Sequence, residues 1–103
     1  ANLNIVLPGG SDFGPWSQGF SQAIQKIITW QPEALVIALG VDAHEAETLC
    51  DFRLQTDDFK RIGQMIGRLG LKTVFVMEGG YAHDVIGFNV AAVLGGYLSE
   101  IKK

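Results

Sequence analysis

The stretch GLKTVFVMEGGY, Gly70–Tyr81, decides how the chain is read. Its middle, TVFVM (Thr73–Met77), is an unbroken run of β-branched and apolar residues. The run is too short for a helix and lacks the alternation of a half-buried strand, so it reads as a parallel strand buried on both faces. Gly70 ends the helical pattern before it, and the pair Gly79-Gly80 opens a loop almost directly after it. Two further runs have the same character, NIVL (Asn4–Leu7) and ALVIAL (Ala34–Leu39).

Helical patterns lie between and after these runs. In the first, Pro15 suits an opening turn, and Trp16, Phe20, Ala23, Ile24, Ile27 and Ile28 recur at three-and-four spacing until Pro32 stops it. The second opens TDDF, with Thr56 as N-cap and Asp57 and Asp58 favourable to the helix dipole. It is expected to bury Phe59, Ile62, Ile66 and Leu69 and to end at Gly70, with Gly63 and Gly67 weakening it. The third, from about Asp84 to Ile101, places Ile86, Val90, Val93, Leu94, Tyr97, Leu98 and Ile101 on one side. The order βαβαβα predicts an α/β fold, three layers around a small parallel sheet.

At 103 residues the chain is expected to be a single domain, 1–103. Its net charge of −3 and scattered lysines and arginines give nucleic acid no electrostatic footprint. One cysteine, Cys50, excludes an internal disulfide framework and fits a reducing compartment, so a cytoplasmic location is expected. No apolar run approaches the roughly 18 residues of a spanning helix, and ANLNIVLPGG has no signal-peptide pattern. The expectation is a chain with no membrane association.

In sheets of this kind functional loops sit at the carboxyl ends of the strands. Here those are Pro8–Gly14, Gly40–Gln55 and Glu78–His83. The middle one, beginning GVDAHEAETLCDF, carries Asp42, His44, Glu45, Glu47 and Asp51, which could offer oxygen and nitrogen ligands to a divalent metal. Caps, turn hydrogen bonds and plain solvation account for such acids equally well. EGGY (Glu78–Tyr81) either presents the Tyr81 hydroxyl to a cleft or is a tight turn with a tyrosine packed on its rim. On the residues alone the turn is the simpler reading. Cys50 has no histidine at a committing distance in sequence and reads as a small apolar residue, and PGGS (Pro8–Ser11) reads as a turn.

Taken in order, NIVLPGGSD, PEALVIALGVDAHEAE, FRLQTDDFKRIGQMIGRLGLKTVFVMEGGY and IGFNVAAVLGGYL resemble the C-terminal third of the zinc-dependent deacetylases, the family of histone deacetylases and acetylpolyamine amidohydrolases. The resemblance runs nearly end to end, and MEGGY followed by GFNVAAVL leans toward the polyamine and bacterial amidohydrolase branch. It implies a partial arginase/deacetylase-like fold and, for the family, zinc-dependent hydrolysis of acetyl amides. The family's zinc-binding aspartate after the strand falls on Asp42. Its second acidic position falls on Glu47, with Thr48 where proline is usual, and His44 is common within this loop. Tyr81 matches the tyrosine that stabilises the tetrahedral oxyanion, and Gly79 and Gly80 match the turn that presents it.

The family's paired histidines and its D-x-H segment, which supplies two of three zinc ligands, lie upstream of the region covered. The resemblance therefore implies that this chain by itself is inactive and that zinc is doubtful in it alone. The family's last two strands are neighbours, whereas the strand before them lies further out, separated by strands this chain lacks. Association is expected, either with the remainder of the enzyme or as a homo-oligomer, a dimer, with an acetylated amine as substrate only if a complete site assembles. The alternative is a non-catalytic, self-associating or partner-binding α/β module. A dimer that builds a new metal site from Asp42, His44 and His83 is a third possibility.

Overall fold

The computed structural model describes residues 3–39, 54–77 and 83–101, with side chains from 88 onward in the last segment. It contains, in order, α1 (Phe13–Trp30), β1 (Ala34–Leu39), α2 (Thr56–Gly67), β2 (Lys72–Met77) and α3 (His83–Ile101). The two strands pair in parallel with register Ala34↔Lys72 through Leu39↔Met77, so β1, α2 and β2 form a βαβ unit. The expected α/β class holds.

NIVL does not join this sheet, which has two strands among the described residues. The segment lies against α1 instead. A Cβ added to Gly19 would come 2.9 Å from Ile5 Cγ2 and 3.3 Å from Leu7 Cδ2, so the bare glycine is what lets the segment approach the helix. A β-branched run becomes a strand only with a neighbour to complete its ladder. β1 and β2 take each other, and NIVL pairs with neither.

α1 starts where Asp12 accepts a hydrogen bond from the Gly14 amide at 3.1 Å, with Pro15 in the first turn. It ends at Gln31, whose φ of 57° is left-handed and whose amide donates to Ile27 O at 3.0 Å; Pro32 follows. Phe13, Trp16 and Phe20 stack along one side of α1, with centroids 6.4 and 4.9 Å apart, and pack against the core. The Arg61 guanidinium of α2 sits 5.5 Å from the centre of the Phe13 ring.

α2 has Gln55, not Thr56, as its N-cap, and the Asp58 carboxylate accepts the Gln55 amide at 2.9 Å, one half of a capping box. Thr56 is displaced from the cap role because its hydroxyl turns to α3, donating to Asn89 Oδ1 at 2.6 Å. Phe59, Ile62 and Ile66 of α2 join Leu39, Leu54 and Val93 as the buried core, with Leu35, Ile37 and Phe75 from the sheet packed against it.

The two glycines expected to weaken α2 are instead the seat of α3. A Cβ on Gly63 would lie 1.9 Å from Val93 O, and one on Gly96 of α3 would lie 2.1 Å from Lys60 O. The helices therefore meet backbone to backbone, closer than any side chain permits. Tyr97 extends the contact to the sheet, edge-on to Phe75 at 5.2 Å, and donates its hydroxyl to Leu71 O at 3.3 Å.

Two burial expectations change. Leu35, Ile37 and Phe75 face the helices, but Val36, Val74 and Val76 on the other side of the sheet are exposed, so one face is covered rather than both. On α3, Val93 is buried and Val90 and Tyr97 pack against the core, whereas Leu94, Leu98 and Ile101 point away from it. The apolar residues of α3 are thus divided between two sides of the helix, and only one of them meets α2.

Candidate functional site

The side chains singled out from the sequence, Asp42, His44, Glu47, Gly79, Gly80 and Tyr81, lie outside the described residues, as does Cys50. Of His83, which begins α3, only the backbone is described. The structure does describe the strand ends that precede residues 40–53 and 78–82. Leu39 and Met77, the last residues of β1 and β2, are register partners. Residues 40 and 78 therefore follow from the same carboxyl edge of two hydrogen-bonded parallel strands, whose spacing is about 4.8 Å. This is the edge where an open α/β sheet places its ligands.

The helices that follow the two segments, α2 and α3, are also joined. The chain re-enters the described structure at Leu54, fully buried in the core, one residue before the N-cap of α2. The Thr56–Asn89 hydrogen bond then joins the first residue of α2 to α3, six residues along from His83. Asn89 is 0% exposed, and among the described residues its Nδ2 has no hydrogen-bond partner. A buried amide with an unpaired donor is costly, so its place at this junction calls for a reason beyond packing. Sequence reasoning passed over the pair. The available signal was an asparagine within the otherwise apolar run VIGFNVAAVL of a helix.

Among the described residues no three His, Cys, Asp or Glu side chains come together as a metal site. The described residues alone do not fit a zinc ion; Asp42 and His44 lie outside them, and of His83 only the backbone is described. Among the same residues no helix is long and apolar enough to cross a membrane.

With this geometry in place, comparison with known proteins defines the class. Residues 1–97 match the model of the histone deacetylase domain. The chain belongs to that family. It is 46% identical over 96 residues to acetylpolyamine amidohydrolase 2 of Pseudomonas aeruginosa, covering 93% of this chain and 28% of that protein. It is 34% identical to the acetylpolyamine amidohydrolase of Mycoplana ramosa, covering 90% of this chain and 27% of the relative. The crystal structure of the acetylpolyamine aminohydrolase from Burkholderia pseudomallei superposes with a TM-score of 0.90 at 33% identity, over 93% of this chain and 28% of that one. The chain thus spans little more than a quarter of the length of the relatives it matches, and its deacetylase-type α/β fold is that of one part of their domain.

Proposed function

We propose that this chain is the C-terminal part of a zinc-dependent acetyl-amide hydrolase of the acetylpolyamine amidohydrolase kind, acting in the cytoplasm, where its cysteine stays reduced. In that reading Asp42 is one ligand of the zinc, and His44 and Glu47 shape the loop around it. The Tyr81 hydroxyl, presented by Gly79 and Gly80, donates a hydrogen bond to the amide oxygen as it becomes an oxyanion, when that interaction strengthens most. The metal, when bound, supplies Lewis-acid activation for the attack on the acetyl group. The remaining ligands and the histidines that move protons come from the rest of the domain, so the chain alone is inactive.

The observation that carries the reading is the Leu39↔Met77 register. Asp42 is three residues beyond one partner and Tyr81 four beyond the other, so a metal ligand and an oxyanion donor follow from adjacent points on one sheet edge. The 46% identity to a protein named as an acetylpolyamine amidohydrolase supports the substrate class.

The test is hydrolysis of an acetylated polyamine by this chain assembled with the part of the Pseudomonas aeruginosa relative that it does not match. Turnover is expected, with Tyr81→Phe lowering kcat by about 10²- to 10³-fold, the usual cost of losing one oxyanion donor. A Tyr81→Phe assembly as fast as the unmodified one would refute the role given to Tyr81, and an assembled but inert complex would refute the activity.

A further inference from the structure

Thr56 and Asn89 are not needed to hold α2 against α3. The two helices run side by side in the same direction, Thr56 beside Asn89, Gly63 on Val93 and Gly67 on Tyr97. Their crossing is already fixed by backbone contact at Gly63 and Gly96, with Phe59, Ile62, Ile66 and Val93 in the buried core. The polar pair lies about two helical turns before those glycines, at the end where both helices begin.

That end is the one at which the candidate site lies. β1 and β2 finish together at Leu39 and Met77, and Leu39 shares the buried core with Leu54, just before Thr56. Thr56 opens α2 and Asn89 stands in the second turn of α3, so the pair joins the starts of both helices on the side of the sheet's carboxyl edge.

The pair is also a poor choice for stability alone. Asn89 is fully buried within the apolar run VIGFNVAAVL, its Oδ1 accepts from the Thr56 hydroxyl, and its Nδ2 has no partner among the described residues. An apolar pair of the same shape would strand no donor, and such replacements are close to neutral or stabilising. A polar group that packing does not require and stability does not favour points to the site it adjoins.

We propose that Asn89 is a positioning residue for the reaction at this edge, with Thr56 as its anchor. Thr56 fixes the amide through Oδ1, and Nδ2 donates to a carbonyl or ordered-water oxygen outside the described residues, which sets the starts of α2 and α3 relative to the site. The amide acts through that oxygen and touches no substrate. This rests on the reading given under Proposed function and adds to it two side chains that the resemblance does not assign.

The experiment compares the double variant Thr56→Val, Asn89→Leu and the single variant Thr56→Ser with the unmodified protein. Urea unfolding is followed on the 103-residue chain, and turnover of an acetylated polyamine on its assembly with the unmatched part of the Pseudomonas aeruginosa acetylpolyamine amidohydrolase 2. The double variant is expected to keep a urea midpoint close to that of the unmodified chain and to lower kcat at least about tenfold with KM within about twofold, the signature of a misplaced reacting group. Thr56→Ser keeps the hydroxyl and should hold kcat within about twofold. A double variant with kcat within about twofold of the unmodified assembly would overturn the proposal, and so would a collapsed midpoint, which would make the pair a packing element. The donor is read separately, by nuclear magnetic resonance of the Asn89 side-chain amide in the isotope-labelled chain. Cross-peaks from its protons to water or to protein α-protons tell a water oxygen from a carbonyl, and protons with neither contact would overturn the donation whatever the kinetics. An assembly that turns over nothing, with the amide in such a contact, would uphold the hydrogen bond and refute the activity and the positioning role with it.

Discussion

Alanine at Gly63 and at Gly95 should have opposite effects on stability, although both are glycines inside helices. At Gly63 the new Cβ would sit 1.9 Å from Val93 O and 2.8 Å from Val93 C, against an ordinary contact of about 3.5 Å. The obstacle is backbone, so no rotamer change relieves it, and α2 and α3 must move apart by more than an ångström. That separation loosens Phe59, Ile62, Ile66 and Val93, which form most of the buried core. Overpacking costs about 1–3 kcal/mol, here toward the upper end, while replacing a helical glycine returns about 1 kcal/mol. The net expectation is a loss of about 2 kcal/mol. At Gly95 nothing lies within 4 Å of the added Cβ, so only the propensity gain of up to about 1 kcal/mol remains. Equilibrium urea unfolding followed by far-ultraviolet circular dichroism measures both. With a slope of about 1 kcal/mol per molar for a domain of this size, the two midpoints should differ by about 3 M, or by as much as the accessible range permits. An unchanged or higher midpoint for Gly63→Ala would refute the close crossing.

Three further outcomes follow from the same packing. A double-mutant cycle of Thr56→Val and Asn89→Leu should give a coupling of about 1 kcal/mol by urea unfolding, since either single change strands a polar partner; additive effects would mean that the 2.6 Å hydrogen bond does not tie α2 to α3. Asp58→Ala should cost about 1 kcal/mol through the lost half of the capping box, and a midpoint within error of the unmodified chain would argue against the cap at Gln55. Arg68→Ala, which removes a guanidinium 3.0 Å from a Glu100 side chain only 6% exposed, should cost about 1–3 kcal/mol with little dependence on salt; a loss within error of zero would contradict that reading.

The helices and both paired strands were readable from pattern and punctuation. Ala34–Leu39 matches the expected run residue for residue, Pro32 and the aspartates of TDDF mark a real end and a real beginning, and α2 stops at Gly67, three residues before the expected Gly70, whose φ of 67° belongs to the turn that follows. What failed depends on neighbours rather than on local sequence. NIVL has strand composition, but a ladder needs a neighbouring strand, and the sheet among the described residues is made of β1 and β2 alone. The valines of β1 and β2 and the outer leucines of α3 are as apolar as buried residues, and only the placement of α2 and α3 on one face of the sheet decides which of them are exposed. Gly63 and Gly67 look like poor helix formers until α3 is placed on them, since propensity is local and crossing distance is not. Thr56 has the chemistry of a cap, and only the tertiary position of Asn89 draws its hydroxyl elsewhere. For the site, the resemblance proposes Asp42 and Tyr81, which lie outside the described residues, while the structure contributes the shared strand edge, Leu39 beside Met77, that precedes both segments.

The most direct test is zinc stoichiometry, measured by calorimetry and by metal analysis on the chain alone and on its complex with the rest of the domain. The account holds that this chain brings one ligand, Asp42, to a site completed elsewhere. It predicts no tight zinc on the chain alone, one zinc per 1:1 complex, and loss of that zinc in Asp42→Ala. One tightly held zinc per chain in the absence of any partner would contradict it.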